Sequence, residues 1–175
     1  MMNKISFFSI CTLVMTLLIV SQSEAQDVKN GFRTSENDGW MVNVEEAYQL
    51  SEKTNKPILA NFTGSDWCGW CKKLKAEVFN KPEFKAWAED NVILLELDYP
   101  RRTSLPEAQQ KQNAELQQAF RVTGFPTIWM FDLDKPDGKR FQIQAYGKTG
   151  YAAGGPNKYI QSLDKMIELK EKSVN

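Results

Sequence analysis

The chain has 175 residues, 42% of them hydrophobic and 25% charged, which suits one ordinary domain with a compact core. Its 22 basic and 22 acidic residues cancel, so there is no basic excess of the kind that nucleic-acid or anionic-membrane binding uses. There is no histidine, which excludes Cys–His and Ser–His–Asp catalysis, His-ligated metals and axial-His haem.

Lys4 precedes an apolar run from Ile5 to Val20, and the small and polar residues Ser21 to Gln26 follow. This order predicts a secretory signal peptide, residues 1–25, cut after Ala25. The competing reading is an uncleaved anchor, but the apolar run falls short of the ~20 residues that a spanning helix needs. Cys11 lies inside the run and leaves with it. The mature chain then enters an oxidising compartment carrying only Cys68 and Cys71.

Residues 26–39 read as an extended lead-in and 40–175 as one domain. Trp40 to Val42 reads as a short strand. Asn43 to Glu46 is a capping box opening a helix that stops before Pro57. Pro57 to Thr63 is a buried strand and Gly64 to Asp66 a turn. A helix from Trp67 to Asn80 follows, with Cys71, Leu74 and Val78 inward and Lys72, Lys73 and Lys75 largely outward. Pro82 opens another helix, with Phe84, Trp87 and Ala88 inward. Val92 to Leu97 is a nearly continuous apolar strand, buried on both faces. Ser104 to Glu107 is a second capping box, for a helix to about Arg121. Thr127 to Phe131 is a strand, Asp132 to Lys139 a hairpin turn, and Arg140 to Tyr146 the returning strand. Gly147 to Gly155 is a glycine-rich loop, either a rim of the site or a plain connector, and an amphipathic helix closes the chain. Strands alternating with helices and ending in a hairpin imply an α/β fold, a mixed central sheet with helices on both faces.

The chain is organised around Asp66-Trp67-Cys68-Gly69-Trp70-Cys71-Lys72, between a strand and a helix. At i, i+3 on a first helical turn, two cysteines share one side of the helix end. The unpaired N–H groups and positive dipole end there favour thiolate, the nucleophile of disulfide exchange. A zinc half-site needs two more ligands, and the mature chain offers neither Cys nor His. A c-type haem site needs His after the second cysteine, where Lys72 stands. The remaining alternative is a static disulfide, although a bridge closing so short a loop removes little unfolded-state entropy.

Trp67-Cys68-Gly69-Trp70-Cys71-Lys72 after the first core strand, with Gly124-Phe125-Pro126-Thr127 before the hairpin, resembles the thioredoxin superfamily. The likeness covers roughly Trp40 to Leu169. Lys72, Glu77, Phe79, Leu94, Leu95 and Asp98 look most like its periplasmic subgroup, which includes the C-terminal domain of the bacterial transmembrane thiol:disulfide interchange protein. The resemblance implies a thioredoxin fold with Pro126 as a cis-proline facing the disulfide. Two departures matter. Gly69-Trp70 replaces the Gly-Pro of thioredoxin proper, so the direction of electron flow does not carry over. Asn61 stands where that protein has a buried aspartate, with no lysine near Leu94, which leaves Asp66 or a water as proton acceptor for the second cysteine.

The expected function is therefore a periplasmic thiol–disulfide oxidoreductase, a reductase by resemblance. Cys68 is the more exposed, attacking thiol and Cys71 the resolving one. Trp67, Gly69, Trp70, Phe125 and Pro126 are the expected substrate contacts. Partners are protein or small thiol and disulfide substrates and a separate redox protein, with no nucleic acid and no stable membrane insertion after cleavage. No metal or organic cofactor is implied. The alternatives are a non-catalytic binding or chaperone module, or a disulfide donor or isomerase.

Overall fold

In a computed structural model the described residues are 28–174, so the expected signal peptide lies outside them. Val28–Lys29 (β1) and Phe32–Arg33 (β2) form a small hairpin. The expectation here was an extended lead-in. Its turn, Asn30-Gly31, has positive φ at both residues (54° and 80°), the backbone that two-residue hairpins require and that this dipeptide favours.

The central sheet has four strands in the order β4-β3-β5-β6. They are β3 (Ile58–Thr63), β4 (Ile93–Asp98), β5 (Thr127–Asp134) and β6 (Gln142–Thr149). β3 pairs parallel with β4 and antiparallel with β5, and β6 returns antiparallel on β5. Met41 joins the outer edge of β4 through a single bridge to Leu95, which is all that remains of the strand expected over Trp40 to Val42. The terminal hairpin is longer than expected. β5 runs on to Asp134, and β6 takes in Gly147 to Thr149 from the expected loop. Cross-strand pairing thus overrides the glycine, which weakens a strand without forbidding one.

Helix α1 (Val44–Thr54) is capped by Asn43, whose side chain accepts the Glu45 N–H. Glu46, the other half of that expected capping box, accepts the Asn30 side-chain amide at 3.2 Å instead, and the second expected box does not form. α4 (Glu107–Ala119) starts after Pro106, without a side-chain cap, because Pro106 takes the extended backbone of the N-cap position itself. α2 (Gly69–Leu74) runs into a π turn at Lys75–Phe79, closed by the Asn80 N–H on the Lys75 carbonyl at 2.9 Å. α3 (Pro82–Asn91) and α5 (Gly155–Val174) complete the set. Among the described residues no helix is long and apolar enough to cross a membrane.

Alternation along the strands builds a core on each face. Ile58, Ala60 and Phe62 of β3, with Ile93, Leu95 and Leu97 of β4, pack under α1 and α4. Leu59, Ile128 and Met130 pack on the opposite face with Leu74, Val78, Phe84, Tyr159 and Leu163 from α2, the π turn, α3 and α5. α5 faces this layer with Tyr159, Leu163, Met166 and Lys170, and the Lys170 ammonium reaches Asp132 at 2.7 Å. Fully buried Leu163 and half-exposed Leu169 lie on the same helix, so truncating each separates packing from helix propensity. Leu163→Ala is expected to lower unfolding free energy by about 2–5 kcal/mol in urea titration. Leu169→Ala should change it by less than about 0.5 kcal/mol. Equal losses would mean that α5 does not pack as described.

Candidate redox site

β3 ends at Thr63, and the chain turns so sharply that the N–H groups of both Trp67 and Cys68 reach the Gly64 carbonyl, at 3.3 and 2.8 Å. The Trp67 ring folds back over Gly64, where a Cβ would stand 2.5 Å from it. Any side chain at Gly64 would displace the indole. Cys68 then caps α2, its sulfur accepting the Cys71 N–H at 3.2 Å. Cys68 and Cys71 are joined as a disulfide, with Cα atoms 5.3 Å apart.

The expected difference in exposure between the two cysteines is absent: Cys68 is 5% and Cys71 6% exposed. Their surroundings distinguish them instead. Cys71, but not Cys68, lines a cavity beneath the helix.

Two aromatic surfaces flank the pair. Trp67 is half-buried. Its Nε1 donates to the Tyr99 carbonyl at 2.8 Å, and its ring meets Phe125 edge-on at 5.8 Å. The Arg101 guanidinium lies 3.6 Å over its face, a cation–π contact that the sequence did not signal. Trp70 is 59% exposed and packs on Tyr151 at 5.1 Å. Lys73 sits over both of these rings, and the Tyr151 hydroxyl donates to Glu77 at 2.7 Å. Gly69 is exposed between the cysteines. The Phe125–Pro126 peptide is cis, and both residues are half-buried. Gly150 passes close by, since a Cβ there would come 3.3 Å from the Pro126 carbonyl oxygen. What remains of the glycine-rich loop thus abuts Pro126 through Gly150 and Trp70 through Tyr151.

The acids below and beside the pair are arranged differently from expectation. Asp66 faces the 99–102 loop. Its carboxylate accepts the backbone N–H groups of Arg101 at 3.1 Å and Arg102 at 2.6 Å. Asp98 accepts the Ser65 N–H at 2.8 Å and its hydroxyl at 2.6 Å, fastening the turn to the end of β4. Two acids are buried here, Asp98 and Glu96, and Glu96 stands directly beside Asn61 in the β3–β4 register. It lines the same cavity as Cys71, about 400 Å³ in volume, together with Asn61, Thr63 and Lys75. Lys75 is therefore not simply an outward-facing lysine. The one available sequence signal for Glu96 was its charge within the apolar run from Val92 to Leu97.

Partial burial would raise the Asp66 carboxyl, but the Arg102 and Arg101 N–H donors outweigh it and hold the group below the ordinary aspartate range. A depressed carboxyl favours the folded loop above the unfolded-state pKa and loses that contribution as pH falls through the folded value. The amide resonances of Arg101 and Arg102 should therefore titrate together, with a midpoint below that of ordinary aspartate. A midpoint at the ordinary value would show that these hydrogen bonds do not form in solution.

The thioredoxin-like domain family matches residues 44–165. The disulfide bond reductase DsbH of Chlamydia pneumoniae is 34% identical over 125 residues, covering 71% of this chain and 70% of that protein. The thiol:disulfide interchange protein DsbD of Vibrio vulnificus is 36% identical over 93 residues, 51% of this chain but only 14% of that protein. The solved structure of a DsbH oxidoreductase superposes with a TM-score of 0.66 at 30% identity, covering 85% of this chain and 96% of that one. These likenesses agree with the sheet order, the helices on both faces and the Cys-x-x-Cys pair at the strand-to-helix junction. The chain belongs to the thioredoxin-like domain family, as a member of thiol–disulfide oxidoreductase type.

Proposed function

We propose that the chain is a periplasmic disulfide reductase that passes electrons from a separate redox protein to oxidised thiol substrates. The observation that carries this reading is the Cys68–Cys71 pair at the mouth of α2, flanked by Trp67 on one side and exposed Trp70 on the other. The likeness to a protein named as a disulfide bond reductase supports the reducing direction.

In the reduced enzyme the Cys68 thiolate attacks one sulfur of a substrate disulfide. The substrate S–S bond breaks, a mixed disulfide forms, and the first substrate sulfur leaves as thiolate. Cys71 then gives up its proton and attacks the Cys68 sulfur. That step closes the Cys68–Cys71 bond and releases the second substrate sulfur as thiolate. The substrate gains two electrons and the cysteine pair loses two. Cys68 is the attacking group because it caps α2, where the unpaired N–H groups and the dipole favour its thiolate. Trp67, Gly69, Trp70, Phe125 and Pro126 form the contact surface. An extended substrate segment can pair with the backbone beside the cis bond.

Titration of the pair against glutathione tests the direction. A reductase should give a potential near ~−270 mV, whereas a value near ~−120 mV would make the protein a disulfide donor. Replacing Cys71 by Ser should leave substrate bound to Cys68 as a stable mixed disulfide on non-reducing gels. Cys68→Ser should abolish both the trapping and the exchange, and full exchange by that variant would sink the assignment.

A further inference from the structure

One buried titratable group near the disulfide has no part in the scheme above. Asn61, Thr63, Glu96 and Asp98 all project from the sheet face that carries α2, because Ile58, Ala60 and Phe62 of β3 and Ile93, Leu95 and Leu97 of β4 occupy the other. The first turn of α2 therefore lies over polar side chains rather than over the apolar layer. Asn61 is buried, and its Oδ1 accepts no hydrogen bond from the described residues. Glu96 is buried in the same face, with a cavity large enough for several water molecules between these groups and Cys71.

The Glu96 carboxylate is held from an unexpected direction. The Ser35 hydroxyl donates to one oxygen at 2.7 Å, and the Asn37 amide donates to the other. Both residues precede position 44, where the family match begins. The segment around them is itself tied down, since the Arg33 N–H donates to Gln109 of α4 at 3.0 Å. The charged groups that share the cavity with Glu96 are Lys72 and Lys75 on the active-site helix, Asp98 on β4, and Arg33 and Glu36 in the leading segment. Asp98 is committed to the Ser65 turn at both oxygens.

We propose that Glu96, reached through cavity water, accepts the Cys71 proton during resolution of the mixed disulfide, and that Ser35 and Asn37 position it for that transfer. In the step the Cys71 S–H bond breaks and its proton passes through water to the Glu96 carboxylate. The Cys71 sulfur forms its bond to the Cys68 sulfur as the bond from Cys68 to the substrate sulfur breaks. Glu96 later returns the proton when the pair is reduced again. Burial pushes the Glu96 carboxyl above the ordinary carboxylate range, and Asp98 adds to this, while the Ser35 and Asn37 hydrogen bonds and Lys75 oppose it. A raised acceptor makes proton removal from a thiol less uphill than an ordinary carboxylate would. Asn61, standing where thioredoxin proper has its acid, cannot take a proton in this way.

The proposal rests on the exchange chemistry above, and one experiment separates the two. Reduced protein is mixed with dithiobis(nitrobenzoate) in stopped flow. Cys68 releases one nitrothiobenzoate in the first phase, and Cys71 releases the second on closing the disulfide. Absence of the first phase in the wild type would sink the exchange reading itself. In the wild type the second-phase rate should fall at low pH, as Glu96 becomes protonated. In Glu96→Gln that phase should slow by about 10²-fold at neutral pH and rise in proportion to hydroxide across the whole range, without the break to a plateau that titration of Glu96 gives the wild type. Ser35→Ala with Asn37→Ala removes two donors that favour the carboxylate, so the acid limb should move to higher pH. A Glu96→Gln profile that keeps the wild-type shape, whether superimposed or uniformly lowered, would overturn the role. So would an acid limb that stays in place in the Ser35 and Asn37 variant.

Discussion

β3 and β4 pair in parallel from Ile58 against Ile93 to Thr63 against Asp98, and the redox site is built from the end of that ladder. The Tyr99 N–H bonds the Thr63 carbonyl at 2.9 Å, so the two chains leave the sheet side by side. Asp98 then holds Ser65, the Tyr99 carbonyl takes the Trp67 indole N–H, and the next loop wraps the Asp66 carboxylate. Because side chains alternate between the two faces, a slip of β3 by one residue would turn Asn61 to the opposite face and bring Phe62 under α2.

The site has two sides with different physics. Its outer rim is aromatic and cationic, with Trp67 under Arg101 and Trp70 beside Tyr151 and Lys73. Such a rim offers flat apolar area with polar edges. Its inner side is a half-open cavity of mixed polar and apolar lining, and Cys71 alone of the two cysteines faces it. Equal exposure of the cysteines is therefore compatible with unequal roles, since their neighbours differ where their solvent access does not.

The leading segment extends the domain in a way that the family boundaries do not cover. Residues 28–39 fold as a hairpin and a loop against α4 and Glu96, and close one wall of the cavity beneath the disulfide. Polar side chains at Ser35 and Asn37 are unremarkable in a loop. They gain importance only because they meet a carboxylate some sixty residues later in the chain.

Much of this molecule is legible in its sequence. Local propensity placed the α/β order, the Asn43 cap, the start of α3 at Pro82 and the final amphipathic helix, because caps, proline and 3.6-residue periodicity act within a few residues. The cysteine spacing, with the absence of histidine, already narrowed the chemistry to thiols. The terminal hairpin is longer than local signals indicate because cross-strand bonds carry Gly147 to Thr149 into β6, a gain that depends on a distant strand. Which acids share the cavity with Cys71 is likewise beyond the sequence, since proximity along the chain favours Asp66 whereas Glu96 and Asp98 line that cavity. Strand register, helix placement and the fold of the leading segment together decide that question, and each is a contact between residues distant in sequence.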